Sequence, residues 1–132
     1  MVETCSICGC LIHRHGDYAL STTKGRSHAT KHHYIAERFF GRSGNRKGTN
    51  HNPIFSKDPW GIEGQAGLFC YECHEELLHN PVLLPSEIKL FAQLVKIRNL
   101  NEQEKPDGKT KIAGRIELLQ EVIRNGLNNI LD

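Results

Sequence analysis

Long apolar runs are missing from this chain. None approaches the roughly 20 consecutive apolar residues that a membrane-spanning helix requires. The opening Met1-Val2-Glu3-Thr4 has neither the basic leader nor the apolar core of a signal peptide. The expectation is therefore a water-soluble protein with no membrane partner, held in a reducing, cytoplasmic compartment. A strong charge of one sign is also lacking, since 17 Lys and Arg face 15 Asp and Glu. With five cysteines and no secretory leader, a disulfide-stapled extracellular scaffold is excluded as the first reading. At 132 residues and 38% hydrophobic content the chain allows one modest domain with a helical appendage.

What is present is a spaced set of metal-ligating side chains. Cys5-Ser6-Ile7-Cys8 and Cys70-Tyr71-Glu72-Cys73 are two CxxC knuckles far apart in the chain. Two thiolates two residues apart grip one ion from a tight turn, and a structural Zn²⁺ wants four ligands. One pair alone is equally a redox motif. Two pairs predict a single structural zinc on Cys5, Cys8, Cys70 and Cys73, with Cys10 as a small apolar filler. A second arrangement, Cys5/Cys8/His13/His15, leaves the other knuckle incomplete; otherwise His13 and His15 are surface histidines.

Histidines form a second group. His32-His33 lies between the knuckles and His74 directly follows Cys73. Residues 29–35 read as a short strand, in which adjacent side chains face opposite ways. One imidazole of the pair is then free to bind a metal while the other serves elsewhere. Residues 66–69 read as a second strand entering the knuckle and residues 18–20 as a third. After Cys73 the pattern turns helical until Asn80-Pro81 ends it.

Charge is uneven along the chain. Residues 11–57 hold nine basic side chains against Asp17 and Glu37, a local excess of seven. The Gly- and Asn-rich loop with Arg42, Arg46 and Lys47 suits phosphates, making a nucleic acid, DNA first, the expected partner. The remainder, residues 85–132, reads as a helical pair with Ser86 as N-cap. Its second helix carries a stripe of Ile112, Ile116, Leu119, Ile123, Leu127 and Ile130. That stripe is expected to pack on the core or to join a second copy or a partner protein.

Paired knuckles, a His-His strand between them and a histidine behind the last cysteine resemble the HNH endonucleases, in their zinc-knuckle branch. The resemblance covers residues 4–81. It implies an α+β fold, a zinc-stapled ββα-metal domain over residues 1–84 followed by the helical hairpin 85–132. It further implies a phosphodiester-cleaving enzyme with His33 as general base and His32 and His74 on a catalytic divalent ion (Mg²⁺, Mn²⁺, Ni²⁺ or Zn²⁺). Where the family has an asparagine this chain has Gln65, with Asn50 and Asn52 as other amides. Four residues after His74, at a position that is sometimes a third ligand, stands Leu78. His79 is one residue further, about 100° around an α-helix, and is not expected to substitute. A zinc-knuckle module that binds nucleic acid or protein without turnover is the alternative.

Overall fold

The computed structural model describes residues 3–14, 25–42, 52–106 and 108–132. The expected strand at 18–20, together with His15, Asn50, Arg46 and Lys47, lies outside these residues. The protein is α+β, with a small three-stranded sheet and helices, and divides into two compact units. One unit comprises Met1–Glu37 and Trp60–Val82, the other Arg38–Pro59 and Leu83–Asp132.

In the first unit, strand β1 (Ile12–His13) pairs parallel with β2 (Ser27–His33), and β2 pairs antiparallel with β3 (Ala66–Cys70). The β2–β3 register sets Ala29 opposite Cys70, Thr30 opposite Phe69 and His32 opposite Gly67. At the far end of this ladder Tyr34 N–H donates to the Gln65 carbonyl at 3.2 Å. Cys5, Ile12, Ala29, Phe69 and Cys70 form the buried cluster, with Cys10, Leu68, Cys73 and Leu78 packed against it. So small a core holds two of the expected zinc ligands at its centre. His13 is a correction to the expected surface position: at 5% exposure it is buried in β1, its ring edge-on to that of His28 at 5.4 Å.

The chain leaves β3 into a π-helix, Glu72–Leu78. Ser27 ties its start to β2, accepting from Tyr71 N–H (3.2 Å) and donating to the Glu72 carboxylate (2.7 Å). That bond is the main reason the Glu72 carboxyl sits below the usual range. At the other end the Asn80 side-chain amide donates to the carbonyls of Glu75 (2.7 Å) and Glu76 (3.4 Å). It thereby satisfies acceptors that the ending helix exposes, and Pro81 cannot continue it.

The second unit contains helices α1 (Pro85–Ile97) and α2 (Thr110–Leu131). Helix α1 starts two residues before the expected position, with Leu84 rather than Ser86 as its N-cap. Pro85 takes the first helical position, where its missing N–H costs nothing, and Glu87 reaches back to accept from Leu84 N–H at 3.0 Å. It ends in a Schellman turn: Asn99 adopts φ +57°, its N–H donates to Lys96 O, and Leu100 N–H donates to Val95 O. Val95 of α1 and Leu118 of α2 are this helical pair's buried residues. The expected stripe is only half covered. Ile112, Ile116 and Leu119 are half-buried, whereas Ile123, Leu127 and Ile130 are exposed. Leu118, not a stripe member, is the best buried residue of α2 at 4% exposure. Elsewhere in this unit Phe39 and Phe40 pack their rings near Phe55, and the Arg42 guanidinium lies 5.5 Å from the Phe40 ring centre.

Candidate metal centres

The two knuckles meet as their spacing requires. Cys5, Cys8, Cys70 and Cys73 bring their sulfurs within 4.8 Å of one another, and Cys8 Sγ to Cys70 Sγ is 3.8 Å. Zn–S bonds of about 2.3 Å in a tetrahedron separate neighbouring sulfurs by about 3.8 Å, so the set has the size of a tetrathiolate site. Local backbone explains the convergence. In the first knuckle Gly9 takes φ +80°, closing the turn with its N–H on the Cys5 carbonyl at 3.0 Å. Cys5 N–H bonds the Cys10 carbonyl, and Ser6 N–H reaches across to Leu68 O at 3.0 Å, joining the first knuckle to β3. The second knuckle is the junction of β3 and the helix, where Cys73 N–H points at Cys70 Sγ at 3.3 Å.

Amide donors also tune the thiols. Burial opposes ionisation of Cys5, but hydrogen bonds from the backbone of Cys8, Cys70 and Ile7 bring it down to about 6. Backbone bonding at Cys10 lowers Cys8, while burial raises Cys70 and Cys73. A divalent cation supplies the charge that lets all four become thiolates together. Cys10 stands outside the four, and burial pushes its thiol up to about 12. The Cys5/Cys8/His13/His15 arrangement is not the one formed: His13 packs on His28, and the first knuckle closes on the second.

A second cluster lies one residue beyond Cys73. His32, His74 and His79 each offer a ring nitrogen within 4.8 Å of the others. His32 projects from β2, edge-on to Phe69, with its ring centre 5.0 Å from His74 and 5.7 Å from His79. His74 and His79 are 4.3 Å apart, centre to centre.

The presence of His79 corrects the expectation from α-helical spacing, and the helix type is the reason. Five residues along an α-helix, His79 would face about 140° away from His74. In a π-helix hydrogen bonds run from i to i+5, so residues five apart stack one turn above the other. Leu78 then turns into the hydrophobic cluster while His79 joins the imidazoles.

The three imidazoles are set for ligation. Burial lowers the affinity of His32 for a proton, aided by the imidazoles of His74, His79 and His33. Burial likewise lowers His74, with His79 assisting and Glu75 opposing. For His32 and His74 the neutral ring, the ligating form, is therefore favoured. His74 Nδ1 lies 2.8 Å from Thr30 Oγ1 and 3.3 Å from Glu75 Oε1, and the other Glu75 oxygen is 3.4 Å from His79 Nδ1. Imidazole donors suit Zn²⁺, Ni²⁺ and related ions, whereas Mg²⁺ and Ca²⁺ prefer oxygen. The four cysteines have the make-up of a closed structural site; three histidines leave positions for water or substrate.

His33 is not one of the three. Strand alternation turns it from His32, and its Nε2 lies 3.4 Å from Glu37 Oε1. Gln65 is exposed and makes its hydrogen bonds through its backbone. Arg42 and the exposed Asn52 belong to the second unit. Among the described residues, no helix is long and apolar enough to cross a membrane. Compared with protein-family models, curated proteins and solved structures, the chain matches none.

Proposed function

We propose that the chain is a metal-dependent endonuclease of the HNH type, hydrolysing phosphodiester bonds in DNA. The observation that carries this reading is the convergence of His32, His74 and His79 on a strand and helix anchored by a tetracysteine site, with His33 beside them on the same strand. In this reading β2, β3 and the π-helix are the ββα-metal core, the four cysteines hold a structural Zn²⁺, and the three imidazoles hold the catalytic ion. An ion held by His32, His74 and His79 would offset charge on the scissile phosphate and the departing oxygen. His33 takes the proton of the attacking water, the water oxygen bonds to phosphorus, and the bond from phosphorus to the leaving oxygen breaks. Glu37, next to His33 Nε2, orients the imidazole and balances the proton it gains. The Gln65 carbonyl, bonded to Tyr34 N–H, anchors the strand end that carries His33. All-nitrogen ligation favours Ni²⁺ or Zn²⁺ over Mg²⁺ and Mn²⁺ as the working ion. Arg42, with Arg46 and Lys47, supplies positive charge for the phosphate backbone.

Single-turnover cleavage of plasmid and single-stranded DNA at saturating protein, with each ion in turn and EDTA as control, tests the reading. His33→Ala should keep metal content and DNA affinity while the rate falls about 10²–10⁴-fold. His32→Ala, His74→Ala and His79→Ala should weaken ion binding, with partial recovery at raised metal. Wild-type protein that binds DNA but cuts nothing with any ion would leave a zinc-knuckle binding module.

A further inference from the structure

An imidazole carries one lone pair when neutral, so a ligating histidine must keep its proton on the nitrogen that faces away from the ion. Resting on the reading of His32, His74 and His79 as an ion site, we infer that Thr30 and Glu75 form a tautomer lock. They hold the proton of His74, and Glu75 that of His79, on Nδ1, so that both Nε2 atoms present lone pairs to one ion.

Thr30 lies two positions before His32 in β2, on the same face of the strand, and is 7% exposed. Its Oγ1 is 2.8 Å from Nδ1 of His74, 44 positions away in the chain. A hydroxyl both donates and accepts, so this contact alone permits either tautomer. Glu75 breaks the tie. An ionised carboxylate only accepts, and one of its oxygens sits 3.3 Å from the same Nδ1. A lone pair at that nitrogen would face the carboxylate oxygen, whereas an N–H is attracted to it. The other Glu75 oxygen stands 3.4 Å from Nδ1 of His79 and imposes the same choice there. One carboxylate thus serves two rings, and this depends on the π-helix, which brings His79 beside His74. Hydrogen-bond partners of this kind orient metal-bound histidines and raise their basicity. Thr30 and Glu75 are positioning residues in this role and do not touch the ion.

The experiment uses the full-length protein with its cysteine site loaded and Ni²⁺ as the probe. Long-range ¹H–¹⁵N correlation at mildly alkaline pH, before Ni²⁺ is added, reads the tautomer of each histidine. His74 and His79 should both carry the proton on Nδ1. Ni²⁺ titration should then show Thr30→Val weakened about 10–100-fold, with Thr30→Ser restoring affinity to within a few-fold. Glu75→Gln, whose amide can donate, should raise the Nε2–H form of His79 and weaken Ni²⁺ binding to a comparable extent. Zinc content and thermal melt should stay at wild-type values in Thr30→Ser and Glu75→Gln. Two results overturn the lock: Nε2–H tautomers at His74 and His79 in the wild type, or Ni²⁺ affinity unchanged in both Thr30→Val and Glu75→Gln. If wild-type protein binds no Ni²⁺ beyond the cysteine site, the ion reading fails by itself. The tautomer spectra of the wild type and Glu75→Gln then still decide whether the lock exists.

Discussion

Replacing Cys73 by Ser removes one corner of the tetrathiolate set and should dismantle the unit around it. The buried cluster consists of Cys5, Ile12, Ala29, Phe69 and Cys70, and two of those five are themselves candidate ligands. The three that remain supply on the order of 4–7 kcal/mol if fully buried, at about 1.5–3 kcal/mol for each large apolar side chain and less for alanine. Ordering a single residue costs about 1–2 kcal/mol of backbone entropy, so a cluster that small cannot hold the sheet and helix without help. Structural zinc in small thiolate sites binds with about 10–16 kcal/mol of apparent free energy, as much as the whole net stability of an ordinary domain. With three thiolates and a hydroxyl, most of that is lost. Metal analysis should show one zinc per wild-type chain and less than half of that in Cys73→Ser. Amide exchange at β2 and β3 should pass from protected to fast. Wild-type protein stripped by a strong chelator should show the same loss and regain protection when zinc returns. Full protection of β2–β3 in the chelated protein would refute this account, because the hydrophobic cluster would then suffice alone.

Other outcomes are open to direct measurement. A Cβ at Gly67 would stand 2.7 Å from the Tyr34 hydroxyl and 2.8 Å from the Phe69 ring, so Gly67→Ala should destabilise by about 1–3 kcal/mol in denaturant melts. In the protein without ion at the histidines, His32 and His74 titrate below their ordinary 6.5. Their neutral forms support stability fully above pH 6.5, and that contribution is lost as pH falls toward the lowered folded values. Thermal melts between pH 7 and pH 5 should decline more for the wild type than for a His32→Gln/His74→Gln double variant. Replacing Arg42, Arg46 and Lys47 together should flatten the salt dependence of DNA affinity by about one unit of slope for each phosphate no longer neutralised, read by titration at several salt concentrations.

The parts legible in the sequence are those whose chemistry demands a fixed partner. Two CxxC pairs need each other to complete four ligands, and Cys5, Cys8, Cys70 and Cys73 meet as their spacing implies. The strand carrying His32-His33 is readable from its flanking Thr and Tyr, though it begins earlier, at Ser27. His79 is illegible for a definite reason: α-helical periodicity sends it away from His74, and only the i to i+5 register returns it. Ser86 has a side chain that favours capping, yet Pro85 moves the helix start by two residues. In α2 the periodic stripe is real, but spacing alone does not reveal how much of a helix its neighbour covers. Leu118 is buried and Ile130 is 82% exposed for that reason. Thr30 and Glu75 carry no motif at all; their interest comes from one distance each, across 44 positions and between adjacent ones.

Tyr34 N–H and the Gln65 carbonyl close the far end of the β2–β3 ladder, so the chain departs from and returns to the sheet at one point. Closing a flexible loop twice as long costs only about 0.6 kcal/mol more. Added length between those two residues is therefore cheap in chain closure, provided that Glu37 beside His33 and the buried Ile35 and Phe55 are kept. All five cysteines and His32, His33, His74 and His79 lie outside this stretch. For engineering, a new recognition element belongs there as an addition, which leaves the candidate metal ligands and Glu37 in place.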